Sequence, residues 1–412
     1  MLLLKKSFIL LCTFFNISFI FAAHDVPILR DNLAMISVET LLRKYGNSIG
    51  YAKFKDAETF HYEKFPLSIF PENQPYKGTF AETFVLTIPN GRVSTYAGYI
   101  IIDEKYMLRE FNEQCQWLMY AFNIINHWSD AGNFSNPRKV SGRVAVIARR
   151  GSENYAHYLV DLLGRLAILE LMGIDYDYLY IPYEKPYDNK PYIKEILTVW
   201  GIDPLKIIQP CGEFNYIEAD ELIVPSSSWK LAPTPGETFH DLTILCGVYW
   251  PTWLLEFYRN KFLPMVSHKP NEHKFSKKVF ISRKDGSPFL GRRMINEDEV
   301  FELFEAEGFE RYVLSSMSFL EQVELFHNAD IVVGANGCGL INIMFCKPHT
   351  KVIEIFQERA DSTFYYTGQL VGADYTCVKT KEFPLHDRGG GASTIIPLDI
   401  IQEVIKNLNK SN

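Results

Sequence analysis

The strongest constraint in this 412-residue chain is a glycine-rich turn between an apolar run and a helix start. Ile331-Val332-Val333 leads into Gly334-Ala335-Asn336-Gly337-Cys338-Gly339, and Leu340–Phe345 then reads as a helix. Glycines at such a junction let a ligand approach the backbone, and the helix start offers N–H groups to an anion. In open α/β sheets, ligands sit beyond the carboxyl ends of the strands. The spacing is neither G-x-G-x-x-G nor a P-loop with its lysine, so dinucleotide and Walker-type readings lose support. A tight structural turn is the plainer alternative.

Around that turn, short apolar runs alternate with helical patterns. Lys278–Ser282, Tyr312–Leu314, Ile331–Val333 and Lys351–Ile355 read as strands. Between them lie a helix from Asn296, stopped at Gly308, and one opened by the capping box Ser318-x-x-Glu321 and running to Ala329. An earlier half repeats the logic. Its strands fall at Val144–Ala148, Tyr178–Ile181, Lys206–Ile208 and Glu221–Val224, and its helices over Tyr155–Met172 and Tyr192–Trp200. A further helix is expected around Trp250–Phe262. Strand–helix alternation implies parallel sheets. Residues 25–135 yield only short strands, Tyr99–Ile102 among them. The stretch from Pro225 to Pro235, with three Pro and three Ser, marks a candidate linker. Arg388-Gly389-Gly390-Gly391 reads as a joint before a final amphipathic helix, Leu398–Leu408, able to pack on either half.

Composition narrows the partners. Forty-two Lys+Arg against forty-nine Asp+Glu leave a net charge of −7 with no basic run, so a nucleic-acid partner is not expected. The seven cysteines are scattered, without C-x-x-C or Cys/His spacing of zinc type, so no metal site is expected. Buried thiols, or one or two disulfides in an oxidising compartment, both fit. Lys5 and Lys6 precede an apolar run ending at Ala23, a secretory signal pattern. Cleavage there leaves Phe21 at the −3 position, so signal peptide and signal anchor both stay open. Either puts the body of the chain on the far side of the membrane. Asn133-Phe134-Ser135 is a glycosylation sequon. Asp175-Tyr176-Asp177 is of the type that holds a metal–diphosphate, but its place between helix stop and strand favours a polar loop.

Candidate chemistry gathers at strand ends. Arg283 leaves the strand at Ile281-Ser282, where a cation suits a diphosphate in the same sheet as the glycine turn. Arg292 and Arg293 are possible assistants. Gly334, Asn336, Gly337 and Gly339, with the helix start at Leu340–Asn342, are expected around the same group. Glu354, ending the next strand, is placed to accept two hydrogen bonds from a ribose diol. In the first half, Asn154-Tyr155-x-His157-Tyr158-x-x-Asp161 opens a helix, with His157 and Asp161 four apart. Either is a candidate base for an attacking hydroxyl, and a helix-stabilising Asp–His pair is the plainer alternative.

Val279–Arg283, Arg293-x-Ile295-Asn296-Glu297, Gly308-Phe309, the Leu320–Ala329 helix with Glu321-Gln322, Ile331–Asn342 and Val352-Ile353-Glu354 resemble, in order and spacing, the catalytic region of glycosyltransferase family 61. Asn154-Tyr155-Ala156-His157-Tyr158 with Asp161 resembles that family's earlier N-[YF]-x-H-[WY] segment. The resemblance covers roughly residues 140–360.

It implies an α/β fold of two Rossmann-like domains facing a cleft, the GT-B arrangement. Residues 24–235 would be the acceptor side, with an irregular N-terminal part, and 236–385 the nucleotide-sugar side. They follow the signal or anchor, 1–23, and precede a joint and helix, 386–412. The resemblance also implies inverting, metal-independent transfer of a xylose-, arabinose- or N-acetylglucosamine-class sugar. A UDP-linked donor would give it to a hydroxyl of a glycan or glycoprotein, with no cofactor. The implied place is the lumen of the endoplasmic reticulum or Golgi, or a secreted or periplasmic location in a bacterium, with membrane contact only through the N-terminal anchor. His157 or Asp161 would be the base. Arg283, Gly334, Asn336, Gly337, Gly339, Leu340 and Asn342 would surround the diphosphate, and Glu354 the ribose. The family usually has His where this chain has Asn336, and Ala where it has Cys338. Asn donates a hydrogen bond but carries no proton, which leaves a non-catalytic glycan- or nucleotide-binding protein as the alternative.

Overall fold

The computed structural model describes residues 34–62, 76–94, 98–111, 137–148, 154–181, 190–209, 216–232, 247–266, 274–286, 293–356, 362–380 and 393–410. The amino-terminal apolar run, the Asn133 sequon, Arg292, the Arg388–Gly391 joint and four of the cysteines (Cys12, Cys115, Cys211 and Cys246) lie outside these residues. Among the described residues, no helix is long and apolar enough to cross a membrane. Cys338, Cys346 and Cys377 are thiols rather than disulfides.

Val- and Ile-rich runs bury both faces best as parallel strands between helices. The first half places four such strands, β1 (Arg138–Val146), β2 (Tyr178–Tyr180), β3 (Ile207–Ile208) and β4 (Tyr216–Pro225), in the order β4-β1-β2-β3. Helices α1 (Leu163–Leu171) and α2 (Pro191–Trp200) lie along the chain between them. The segment that read as irregular joins the same sheet. Thr83–Pro89 and Arg92–Ser94 pair antiparallel with β4, and four further strands extend the sheet to ten. Ala34–Ile36, Arg92–Ser94, Ile100–Ile102 and Tyr106–Leu108 are three residues each, too short to show a two-residue alternation. Asp177 of the D-x-D triplet accepts from the Arg143 N–H at 2.8 Å and packs on Gly142, whose φ is +105°. It holds a bulge in β1, as the polar-loop reading expects.

The second half forms a five-stranded parallel sheet. Its strands are β5 (Lys278–Ile281), β6 (Glu310–Tyr312), β7 (Ile331–Ala335), β8 (Lys351–Phe356) and β9 (Asp374–Lys379), ordered β6-β5-β7-β8-β9. Helix α3 (Thr252–Val266) precedes β5, and α4 (Glu297–Glu305), α5 (Phe319–Asn328) and α6 (Thr363–Val371) follow β5, β6 and β8. Ser318 and Glu321 cap α5 reciprocally, as their spacing predicts. The last unit, α6 and β9, had no clear signal. Thr363–Val371 is rich in Thr, Tyr and Phe, which are indifferent helix formers. The expected helix at Leu340–Phe345 is a 3₁₀ helix, Cys338–Phe345. The final helix, α7 (Leu398–Lys410), packs through Ile401 and its neighbours against Val300, Phe301 and Phe304 of α4.

The chain is thus a mixed α/β protein with several sheets. One buried apolar cluster runs from Leu159, Leu166, Ile193 and Leu197 in the first half to Phe319, Phe326, Ile341 and Phe345 in the second. Helix α3 lies between them. The Tyr258 hydroxyl donates to the Leu159 carbonyl, while the Phe262 ring meets Phe319 edge-on at 4.9 Å. Arg259 donates to the Met344 and Cys346 carbonyls, each at 2.8 Å, at the end of the 3₁₀ helix. Burying a side chain of this size contributes about 1.5–3 kcal/mol. A polar tie adds to it: Glu195 of α2 accepts the Phe319 N–H at 2.6 Å, at the start of α5. Burial pushes the Glu195 carboxyl above its ordinary value, against the lowering by those main-chain donors.

The stretch read as a linker is packed where it is described. Ser226 exchanges hydrogen bonds with the Phe84 main chain, its N–H to the carbonyl at 2.8 Å and its Oγ from the N–H at 3.0 Å. Lys230–Ala232 pairs antiparallel with Gly247–Tyr249. Ser228 donates to the Val160 carbonyl at 3.2 Å and leaves no room for a side chain at Gly164, where an added Cβ would lie 2.2 Å from its Oγ. Gly164→Ala is therefore expected to lower stability by about 1–3 kcal/mol in chemical denaturation. Adding Ser228→Ala removes the clashing oxygen and should recover most of that loss.

Candidate active site

Each parallel set reverses its winding once, between β1 and β4 in the first half and between β5 and β7 in the second. The crevice beyond the carboxyl ends at such a reversal is where α/β sheets bind ligands. The second reversal yields Ser282-Arg283 and the Gly334–Gly339 turn. The first yields Ala148, the Asn154–His157 segment and Ser226–Trp229.

At the second reversal, Arg283 lies against Gly337. A Cβ at Gly337 would come within 1.8 Å of the Arg283 Nη1, so only glycine leaves the guanidinium its place. The loop carrying Arg283 is held from below by Glu297, in the first turn of α4. Its carboxylate accepts the Arg283 N–H at 2.8 Å and the Ser282 hydroxyl. Gly334 and Gly339 answer to packing instead. A Cβ on Gly334 would sit 3.2 Å from both Ile281 and Leu340, and one on Gly339 would sit 2.6 Å from Leu314.

The first reversal reaches the same place. Asn154 caps the short helix Tyr155–His157 by accepting from the Ala156 and His157 N–H groups at 3.0 and 3.3 Å. Its Nδ2 donates to the Cys338 Sγ at 2.8 Å, directly after Gly337. The Tyr155 hydroxyl donates to the Asn342 Oδ1 at 2.9 Å. His157 is half-buried, its ring 5.8 Å from that of Trp229 and tilted by 51°. Trp229 had no sequence signal beyond its place in an apparent linker. The Arg283 guanidinium, the Cys338 thiol and the glycine turn therefore adjoin, next to the short helix that carries His157. A groove of about 580 Å³ between α4 and α7 lies elsewhere and holds none of these groups.

The family model for glycosyltransferase 61 matches residues 155–353, a span that includes His157, Arg283 and the glycine turn. The chain carries a glycosyltransferase family 61 domain. It is a glycosyltransferase. No curated protein matches it.

In this glycosyltransferase, four residues expected at the site are enclosed by protein. Asp161 lies in the π-helical turn Tyr158–Leu162 with 0% exposure, paired with the Arg165 Nε at 3.6 Å. Arg165 is anchored in turn on the Ala148 carbonyl at 3.0 Å. Asp161 has no exposed surface, so the half-buried His157 stands as the better-placed candidate base. Glu354 is also fully buried, with one oxygen accepting from the Asn336 Nδ2 at 2.7 Å and the other from the Tyr375 hydroxyl. Both oxygens face protein donors, a structural setting that differs from the expected ribose contact. Asn342 is wholly buried between Tyr155 and Gln322, and Leu340 is a core residue. Around the expected diphosphate, Arg283 and Gly337 remain, with Cys338 beside them. The Asn336 departure also takes a physical meaning: its side chain supplies an N–H to Glu354, a task that needs no titrating group.

Two outcomes test this arrangement. Gly337→Ala should displace the guanidinium and reduce transfer activity as far as Arg283→Ala does. The double variant should lose no more than either single one, because both act through one group. Asp161→Asn strips a buried guanidinium of its counter-charge and should cost about 3–5 kcal/mol of stability in chemical denaturation.

Proposed function

We propose that this glycosyltransferase moves a xylose-, arabinose- or N-acetylglucosamine-class sugar, with inversion, from a UDP-linked donor to a hydroxyl of a glycan or glycoprotein. The observation that carries the reading is the Arg283 guanidinium seated on Gly337, next to the segment that bears His157. Inverting transfer asks for two things. A base must take the acceptor proton as the hydroxyl attacks the anomeric carbon, and something must stabilise charge on the departing diphosphate. His157 serves the first need. Arg283, with main-chain N–H groups at the start of the Cys338–Phe345 helix, serves the second, in the place a divalent cation takes elsewhere. Glu297 and Ser282 hold the Arg283 loop.

Two parallel sets with adjoining reversals support a GT-B arrangement, the first half taking the acceptor and the second the donor. The basic and apolar amino-terminal pattern supports a place in the endoplasmic reticulum or Golgi lumen, where imported nucleotide sugars meet glycoprotein acceptors. The chain reaches a membrane only through that segment.

A donor panel read by mass spectrometry tests the reading. Turnover of a UDP-linked sugar, with inversion at the anomeric carbon and a rate unchanged by excess chelator, is expected. Arg283→Ala should lower kcat/KM by about 10²–10³-fold. His157→Ala should lower kcat by about 10²–10⁴-fold with UDP affinity by calorimetry unchanged. Near-normal turnover in both variants removes the proposed site.

A further inference from the structure

Resting on the transferase reading, we propose that Tyr155 and Asn342 are positioning residues that hold the segment bearing His157 in register with the Arg283–Gly337 pair. A directed chain of hydrogen bonds carries the inference. The Gln322 Nε2 donates to the Leu314 and Met317 carbonyls at 3.0 and 3.3 Å. Carbonyls only accept, so the Gln322 amide has one orientation and its Oε1 faces Asn342. Asn342 must then offer its Nδ2 there, at 2.9 Å, which turns its Oδ1 toward Tyr155. The Tyr155 hydroxyl is left to donate, at 2.9 Å. Burial pushes that phenol far above its ordinary value, so it stays protonated as the chain requires.

The three residues stand on three elements. Tyr155 is two residues before His157, Asn342 is five after Gly337, and Gln322 lies on α5. Asn342 is wholly buried, with each end of its amide committed. The Tyr155 ring is held separately, edge-on to Tyr192 at 5.2 Å. Apolar contacts can slide, but a buried amide cannot leave its partners without losing them, so the chain sets spacing that the surrounding core alone leaves loose. A reacting group displaced by about 1 Å costs roughly 10²-fold in rate.

The test is Tyr155→Phe in the full chain, which keeps the ring and removes only the hydroxyl. Steady-state transfer, UDP calorimetry and amide hydrogen exchange are read together. We expect kcat to fall at least 10-fold, donor KM and UDP affinity to stay within about twofold, and exchange across residues 340–345 to rise at least 10-fold. An unchanged kcat overturns the positioning role, as does a kcat that falls in step with donor affinity. Either result leaves the transferase reading intact. If the unaltered chain neither binds nor turns over any nucleotide sugar, that reading fails instead. Exchange then decides the bridge alone: faster exchange in Tyr155→Phe supports it, and unchanged exchange overturns it.

Discussion

Phe262 of helix α3 meets Phe319, while Tyr258, one turn earlier on the same face, gives its hydroxyl to the Leu159 carbonyl. That helix belongs wholly to neither half. The apolar cluster it joins is continuous from the α1–α2 side to the 3₁₀ helix after the glycine turn. Water is excluded from that cluster, so a polar group buried within it must find its partner in the protein. This explains why the buried polar contacts between the halves are so specific. Glu195 meets the start of α5, and Tyr155 meets Asn342.

Charge at the candidate site follows the same division between buried and accessible. Asp161, Glu297 and Glu354 are carboxylates withdrawn from solvent, each engaged by protein groups. What stays partly accessible is a guanidinium, a thiol and an imidazole. Such a site suits an anionic ligand, because the nearby negative charge is already bound up in structure. Glycines sort likewise. Gly337 makes room for a side chain that works, whereas Gly334 and Gly339 make room for core packing.

The parallel sheets were legible because their strands are continuous apolar runs and their helices carry caps, as at Ser318 and Glu321. The candidate site was legible in part. Arg283 and the glycine turn announced themselves by position at strand ends, and His157 by its place at a helix start. Glu354, Asn342 and Asp161 are buried among protein partners, and a polar residue at a strand end or helix start reads the same whether it faces a cleft or such a partner. Only tertiary contacts separate those cases. The antiparallel flank before residue 110 and the unit of α6 and β9 stayed hidden for simpler reasons. Three-residue strands carry no periodicity, and a helix of Thr, Tyr and Phe is chosen by its packing rather than by propensity.

The seat of Glu195 on the first turn of α5 has a consequence for traffic through the enzyme. A side chain from one half closes off the helix end of the other, so sliding or hinging the halves would leave main-chain N–H groups without that partner. Wide rigid-body opening is thus disfavoured. Ligands then have to reach the site without the two halves swinging apart.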